Sequence, residues 1–150
     1  MKTFLWVISV ILSVVTLGCS KNSDIVPEDV LTKFPPPAWK TDETGKYPFS
    51  MTAVVTIPSK LSANMDDGDK LAAFVNDECR GEGVAVKVNS TNVFFVLIRG
   101  LADEHGQVIF KYYSAKSSYL YKTGLVLNFL VDDVYGTAQN PKILDLNPIQ

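Results

Sequence analysis

From Phe49 onward the apolar residues keep a period of two, and nearly every run of them is cut short by a turn. Phe49, Met51, Ala53, Val55 and Ile57 alternate with Ser50, Thr52, Val54 and Thr56 until Pro58 stops the run. That spacing places one side of a strand in a core and leaves the other half covered. Lys70–Val75 and Glu78–Val88 then flank Asn76-Asp77, a pair suited to a two-residue hairpin turn. Asn89-Ser90-Thr91 makes the next loop. Residues 93–98 are apolar on both faces, which predicts a central strand covered on both sides. Residues 107–113, 118–122, 125–131 and 142–146 complete the set, with Gly106 and Gly124 in turns between them. No long stretch carries the 3.6-residue period of a helix, and no segment repeats. The expected fold is all-β: an immunoglobulin-like or jelly-roll-like antiparallel β-sandwich of about 7–8 strands with Greek-key connections.

The chain ahead of that module has a different character. Lys2 gives a positive start, Phe4 to Leu17 an apolar run, and Gly18-Cys19 follows at once. The run is about 14 residues, short of the roughly 20 that cross a bilayer as a helix. A short apolar core with a positive flank and a small residue at its end is the pattern of a secretory leader. The cysteine directly after it makes residues 1–18 look like a bacterial lipoprotein signal, with Thr16-Leu17 standing in the expected Leu-small pair. The thiol of Cys19 is then expected to be acylated and to become the new N-terminus. Ordinary cleavage, or a retained anchor, is the other reading of the same residues.

Residues 19–47 are polar and carry Pro27, Pro35, Pro36 and Pro37. Consecutive prolines favour an extended polyproline II segment without internal hydrogen bonds. We therefore expect a lipid-anchored tether that holds the domain, residues 48–150, away from a membrane. Val26, Val30, Leu31 and Phe34 are apolar, so part of the tether has the means to dock. Trp39 is expected near the start of the folded module.

Cysteine usage sharpens this. With Cys19 acylated, Cys79 is the one remaining thiol, no intramolecular disulfide can form, and the domain must rest on its apolar core. Cys79 reads as a small buried side chain or as a reactive thiol with Arg80 beside it. The formal charge of −2 gives no reason to expect nucleic acid, or a polybasic hold on lipid. Attachment to a membrane is left to the acyl chains, of which more than one is needed.

Three groups of residues are candidates for a site. Asp66, Asp67 and Asp69 crowd one loop and offer carboxylates of the kind calcium takes, although their spacing is not that of an EF-hand loop. A solvated turn is the other reading, because Asp and Gly favour turns. Calcium is the only cofactor suggested. Tyr113, Tyr119 and Tyr121 fall on neighbouring strands and are expected to share a face able to stack on sugar rings, or else to pack in the core or its rim. Arg80 either pairs with Asp69 or Glu78, or binds an acidic ligand group. A lone histidine, His105, in a hairpin tip reads as solvated, and one histidine cannot build a two-histidine zinc site. The chain has no G-x-S-x-G elbow and no glycine-rich phosphate loop. No catalytic residue is expected, although a spatially clustered carboxylate pair would suit a glycosidase.

Several segments in order carry a resemblance. Residues 47–55, YPFSMTAVV, are followed by residues 69–81, DKLAAFVNDECRG, then by Ile109-Phe110-Lys111-Tyr112-Tyr113, Gly136-Thr137 and Asn140-Pro141. Together they resemble a β-rich module of exported and surface-anchored proteins of Gram-negative bacteria, over roughly residues 39–146. Ala72 departs from the pattern where glycine is common, as does Glu82-Gly83 after Arg80-Gly81. The resemblance implies an extracellular β-sandwich that accompanies other binding or enzymatic domains, and it implies no particular activity. In their own right, Gly81 and Gly83 suggest a bulge or the close approach of another backbone.

The expectation is thus a non-enzymatic lipoprotein of the cell envelope, anchored through Cys19, in the outer membrane and facing its surface. It would bind glycan or an envelope protein. A structural accessory subunit or spacer with no small ligand is the alternative.

Overall fold

The computed structural model describes residues 31–124 and 126–150. The leader and residues 19–30 of the tether, Cys19 among them, lie outside the described residues. The described chain is all-β, with a single turn of helix. Its elements are β1 (Phe49–Thr56), α1 (Ser59–Ser62), β2 (Lys70–Val75), β3 (Glu78–Val88), β4 (Thr91–Gly100), β5 (Gln107–Ser114), β6 (Tyr119–Thr123), β7 (Leu127–Asn128), β8 (Val134–Tyr135), β9 (Lys142–Ile143) and β10 (Leu146–Pro148). One curled sheet runs in the order β10-β6-β5-β2-β3-β4-β1-β8, with β7 against β5 and β9 against β1. No helix among the described residues is long and apolar enough to cross a membrane.

Two hairpins follow from local turn chemistry. Asn76 and Asp77 take φ of 50° and 61°, and Asn89 and Ser90 take 46° and 70°. Two successive positive φ values are what a tight hairpin turn requires, and short polar side chains bear them at least cost. The turns fix the registers Val75↔Glu78 and Val88↔Thr91.

β3 is the hinge of the architecture. Its first half pairs with β2 and its second half with β4, so one strand serves both halves of the curled sheet. The β2–β3 register shifts between Ala73 and Phe74, leaving Arg80 without a cross-strand partner. The extra residue is a bulge, which bends a strand and redirects a side chain. Gly81 follows it because a Cβ there would lie 2.4 Å from the carbonyl oxygen of Leu97.

The core lies inside the curl. Met51, Ala53, Val55 and Ile57 enter it from the β1 side, as the alternation predicts, together with Phe94, Val96 and Ile98 from β4. Leu71, Ala73, Val75, Val108, Phe110 and Tyr112 meet them from β2 and β5. β4 is central in the sheet but is not covered on both sides: Leu97 on its outer face is 48% exposed.

The C-terminal stretch departs most from expectation. Residues 142–146 do not form one strand. β9 joins β1 and β10 joins β6, on different edges, with Leu144 buried between them. Among the described residues of the expected 125–131 strand, β7 alone pairs as strand, with β5. β8 and β9 run parallel to β1, so the sheet is mixed and not wholly antiparallel. The chain reaches this edge only after the whole of the other half, so its direction there is set by that crossover and not by a hairpin. The same stretch covers both edges, which otherwise present unpaired backbone.

Residues 34–47 do not hang free as a tether. Phe34 N–H donates to the Ser118 carbonyl at 2.8 Å, and Lys70 Nζ donates to the Pro37 carbonyl at 2.7 Å. Trp39 packs edge-on to Phe74, with ring centroids 5.4 Å apart. Thr41 N–H donates to Glu82 Oε1. Extended proline-rich chain thus straps the outer face of β2 between the β5–β6 turn and β3, and the folded unit begins well before Pro48. Tyr47 is buried at the end of the strap, its hydroxyl 2.5 Å from Glu78 Oε2.

That contact has a consequence for acid stability. The Tyr47 hydroxyl and the Lys46 ammonium hold the Glu78 carboxyl below its ordinary value of 4.5. A carboxyl lowered in the folded state adds stability above its ordinary value, and that stability is lost as pH falls through the lower folded value. Glu78→Gln is therefore expected to flatten the decline in melting temperature below about pH 4.5, read by melting the two proteins across an acid series.

Candidate functional site

The β5–β6 hairpin supplies one wall of a cleft of about 450 Å³. Ser114, Lys116 and Ser117 come from its turn, and Tyr119 and Tyr121 from β6. Lys60, Leu61 and Asn64, from α1 and the turn after it, form the facing wall, and Lys33 closes one end from the strap. Lys116 Nζ donates to Asn64 Oδ1 at 3.0 Å, which ties the two walls together.

The register explains which tyrosines reach this cleft. Tyr112 pairs with Tyr121 and Ser114 with Tyr119, so these four share the inner face. Tyr113 pairs with Leu120 on the opposite face, where it is 2% exposed beside Lys70 and the strap. The expected face of Tyr113, Tyr119 and Tyr121 is therefore split. Tyr119 and Tyr121 line the cleft, and Tyr113 is packed away from it. Tyr119 itself is largely buried, while Tyr121 is half-buried with its ring centroid 6.1 Å from that of Tyr112.

Asp69 pins the hairpin turn. Its Oδ1 accepts from Ala115 N–H at 2.8 Å, and its Oδ2 accepts from Asp66 N–H and from the Tyr112 hydroxyl. Burial, with the neighbouring Asp69 carboxylate, pushes the Tyr112 phenol up, so that hydroxyl stays a donor. Asp66 and Asp67 are exposed, and Asp66 Oδ1 accepts weakly from Gly68 N–H at 3.4 Å. Asp69 is turned toward the hairpin. Among the described residues no three His, Cys, Asp or Glu side chains are grouped to hold a metal ion.

Arg80 is committed elsewhere. Its guanidinium stacks 3.4 Å from the Tyr47 ring centroid, and NH1 donates to Glu104 Oε2 at 2.9 Å and to the Arg99 carbonyl at 3.4 Å. Glu78 Oε2 stands 3.8 Å from its Nε. The side chains of Arg80 and Glu104 are 5% and 7% exposed. The bulge turns Arg80 inward, so its main partner is Glu104 and not Asp69, and it presents no free guanidinium to a ligand. Cys79 is half-buried, and burial pushes its thiol up, the opposite of what a nucleophilic thiolate needs. His105 is exposed in the β4–β5 loop.

Sequence reasoning missed the facing wall of the cleft. Lys60, Leu61 and Asn64 follow Pro58 in a stretch too short to show helical periodicity, and only the fold brings them against β6. Comparison with protein-family models, with curated proteins and with solved structures finds no match to this chain.

Proposed function

We propose that the protein is a non-enzymatic lipoprotein of the cell envelope whose β-domain binds glycan in the cleft bordered by Tyr119 and Tyr121. The observation that carries this reading is the make-up of that cleft. Tyr119 and Tyr121 line it together with Ser114, Ser117 and Asn64. Saccharides offer the same mixture, an apolar C–H face with hydroxyls around it. In this reading the acyl chains on Cys19 anchor the chain in the outer membrane, and the strap fixes how the domain meets its tether. The two halves of the curled sheet then act as the layers of a β-sandwich, sharing one core.

Retention of the full-length chain on immobilised cell-wall and host polysaccharides tests this. Tyr121→Ala is expected to weaken retention about tenfold, the scale of one aromatic contact. Equal retention of the variant, or no retention of either protein, would count against glycan binding at this cleft.

A second reading is supported by the outer face of β3, β4 and β1. Val84 and Val134 are 64% and 59% exposed, and the register sets them on the same face as Leu97. An apolar sheet face of this kind suits a protein partner, as an accessory subunit of an envelope complex would require. A stoichiometric partner that co-purifies from solubilised envelope and is lost with Val84→Lys would favour it.

A further inference from the structure

We infer that the cleft selects acidic saccharides, binding a sugar-borne carboxylate or sulfate through Lys33, Lys60 and Lys116. This rests on the glycan reading above and names the class of sugar. The three ammonium groups come from three separate parts of the chain: the strap, α1 and the β5–β6 turn. No acidic side chain among the described residues lines the cleft. Among the described residues, Lys33 and Lys60 make no ion pair, and Lys116 is held by the neutral Asn64 amide. Unpaired lysines occur elsewhere on the surface too, since only Lys46 and Lys111 meet a carboxylate among the described residues; what sets these three apart is that they line one cleft.

The contrast with the whole molecule strengthens the inference. The chain carries a formal charge of −2, so a cleft whose charged lining, among the described residues, is three lysines is a local arrangement and not a sample of the average surface. Like charges brought together around a concavity repel one another, and an anion in that concavity relieves the repulsion while gaining charge-assisted hydrogen bonds. A free inorganic anion would satisfy the lysines alone. Tyr121 and the serines of the lining give a sugar ring additional contacts that such an ion cannot make.

The test is a titration of the full-length chain, in detergent, with oligogalacturonate and with the same oligomer fully methyl-esterified, which keeps the rings and removes the charge. The acid form is expected to bind at least about tenfold tighter than the ester, the scale of one charge-assisted hydrogen bond. Binding should weaken as salt is raised. Lys60→Gln and Lys33→Gln are each expected to remove about tenfold of the acid form's affinity, with Lys87→Gln on β3 as the control that does not. Equal affinity for acid and ester would overturn the charge selection while leaving the glycan reading standing. Failure of both forms, and of a sulfated and desulfated chondroitin pair, would overturn both. Inorganic sulfate competing as well as the saccharide at equal concentration, or tighter binding of an oligothymidylate of matched charge, would also overturn the inference.

Discussion

Glu104→Ala is expected to cost about 3–5 kcal/mol of folding stability, because it strands the Arg80 guanidinium inside the protein without its carboxylate. The pair is 2.9 Å apart with both side chains almost wholly covered. Removing Glu104 leaves the buried guanidinium with only the longer 3.8 Å contact to the 40% exposed Glu78 carboxylate, and that penalty exceeds what the intact pair contributes net. Arg80 Nε has no hydrogen-bond partner among the described residues, Glu78 Oε2 standing 3.8 Å away, so the remaining contacts cannot absorb the whole loss. For a domain of this size the melting temperature should fall by roughly 10–20 °C. Arg80→Met combined with Glu104→Leu should recover most of the loss, since an apolar pair of similar volume carries no desolvation cost. Denaturant unfolding followed by circular dichroism checks both. A Glu104→Ala protein within about 1 kcal/mol of the parent would show that water or another group reaches Arg80.

Tyr47→Ala is expected to cost about as much, roughly 3–5 kcal/mol, by opening a cavity at the end of the strap and uncovering the same guanidinium. The Tyr47 ring is sandwiched in effect between two jobs: it stacks on Arg80, and its hydroxyl reaches Glu78. Tyr47→Phe keeps the ring and should cost only about 1 kcal/mol, the net value of one hydrogen bond. Because Tyr47 and Glu104 both act on Arg80, the two alanine substitutions should not add. A double-mutant cycle should return a coupling of about 1–3 kcal/mol. Strict additivity would mean that strap and ion pair are independent. A chain that starts at Pro48 lacks Tyr47 and Trp39 together and should be no more stable than Tyr47→Ala.

These two sites mark the boundary of what the sequence discloses. The hairpins at Asn76-Asp77 and Asn89-Ser90 were legible because the turn residues carry their own backbone preference. The inward set of β1 was legible because nothing competes with its alternation. The strap was not: Pro35-Pro36-Pro37 reads as free polyproline II, and what docks it is Trp39 meeting Phe74, a contact of distant residues. The short strands β8, β9 and β10 draw their pairing from edges built elsewhere and have too few residues to show a period. Glu104 could not be picked from the chain's 16 acidic residues, since its role depends on where the bulge aims Arg80.

The candidate site shows the same division. Alternation fixes which residues of one strand share a face, but not how two strands are offset. A one-residue difference in register moves a side chain to the other side of the sheet. That is why Tyr119 and Tyr121 meet in the cleft while Tyr113 is buried on the opposite face of the sheet. The aspartates of the β2 approach were visible as a cluster, yet Asp69 is spent on Ala115 and Tyr112, and so helps to shape the cleft wall.

The most direct measurement is a crystal structure grown with a mixture of neutral and acidic oligosaccharides. The account predicts sugar density between Tyr121 and Lys60, with a carboxylate or sulfate within hydrogen-bond reach of a lysine. Sugar bound at another surface, with this cleft holding only water at saturating concentrations, would contradict it.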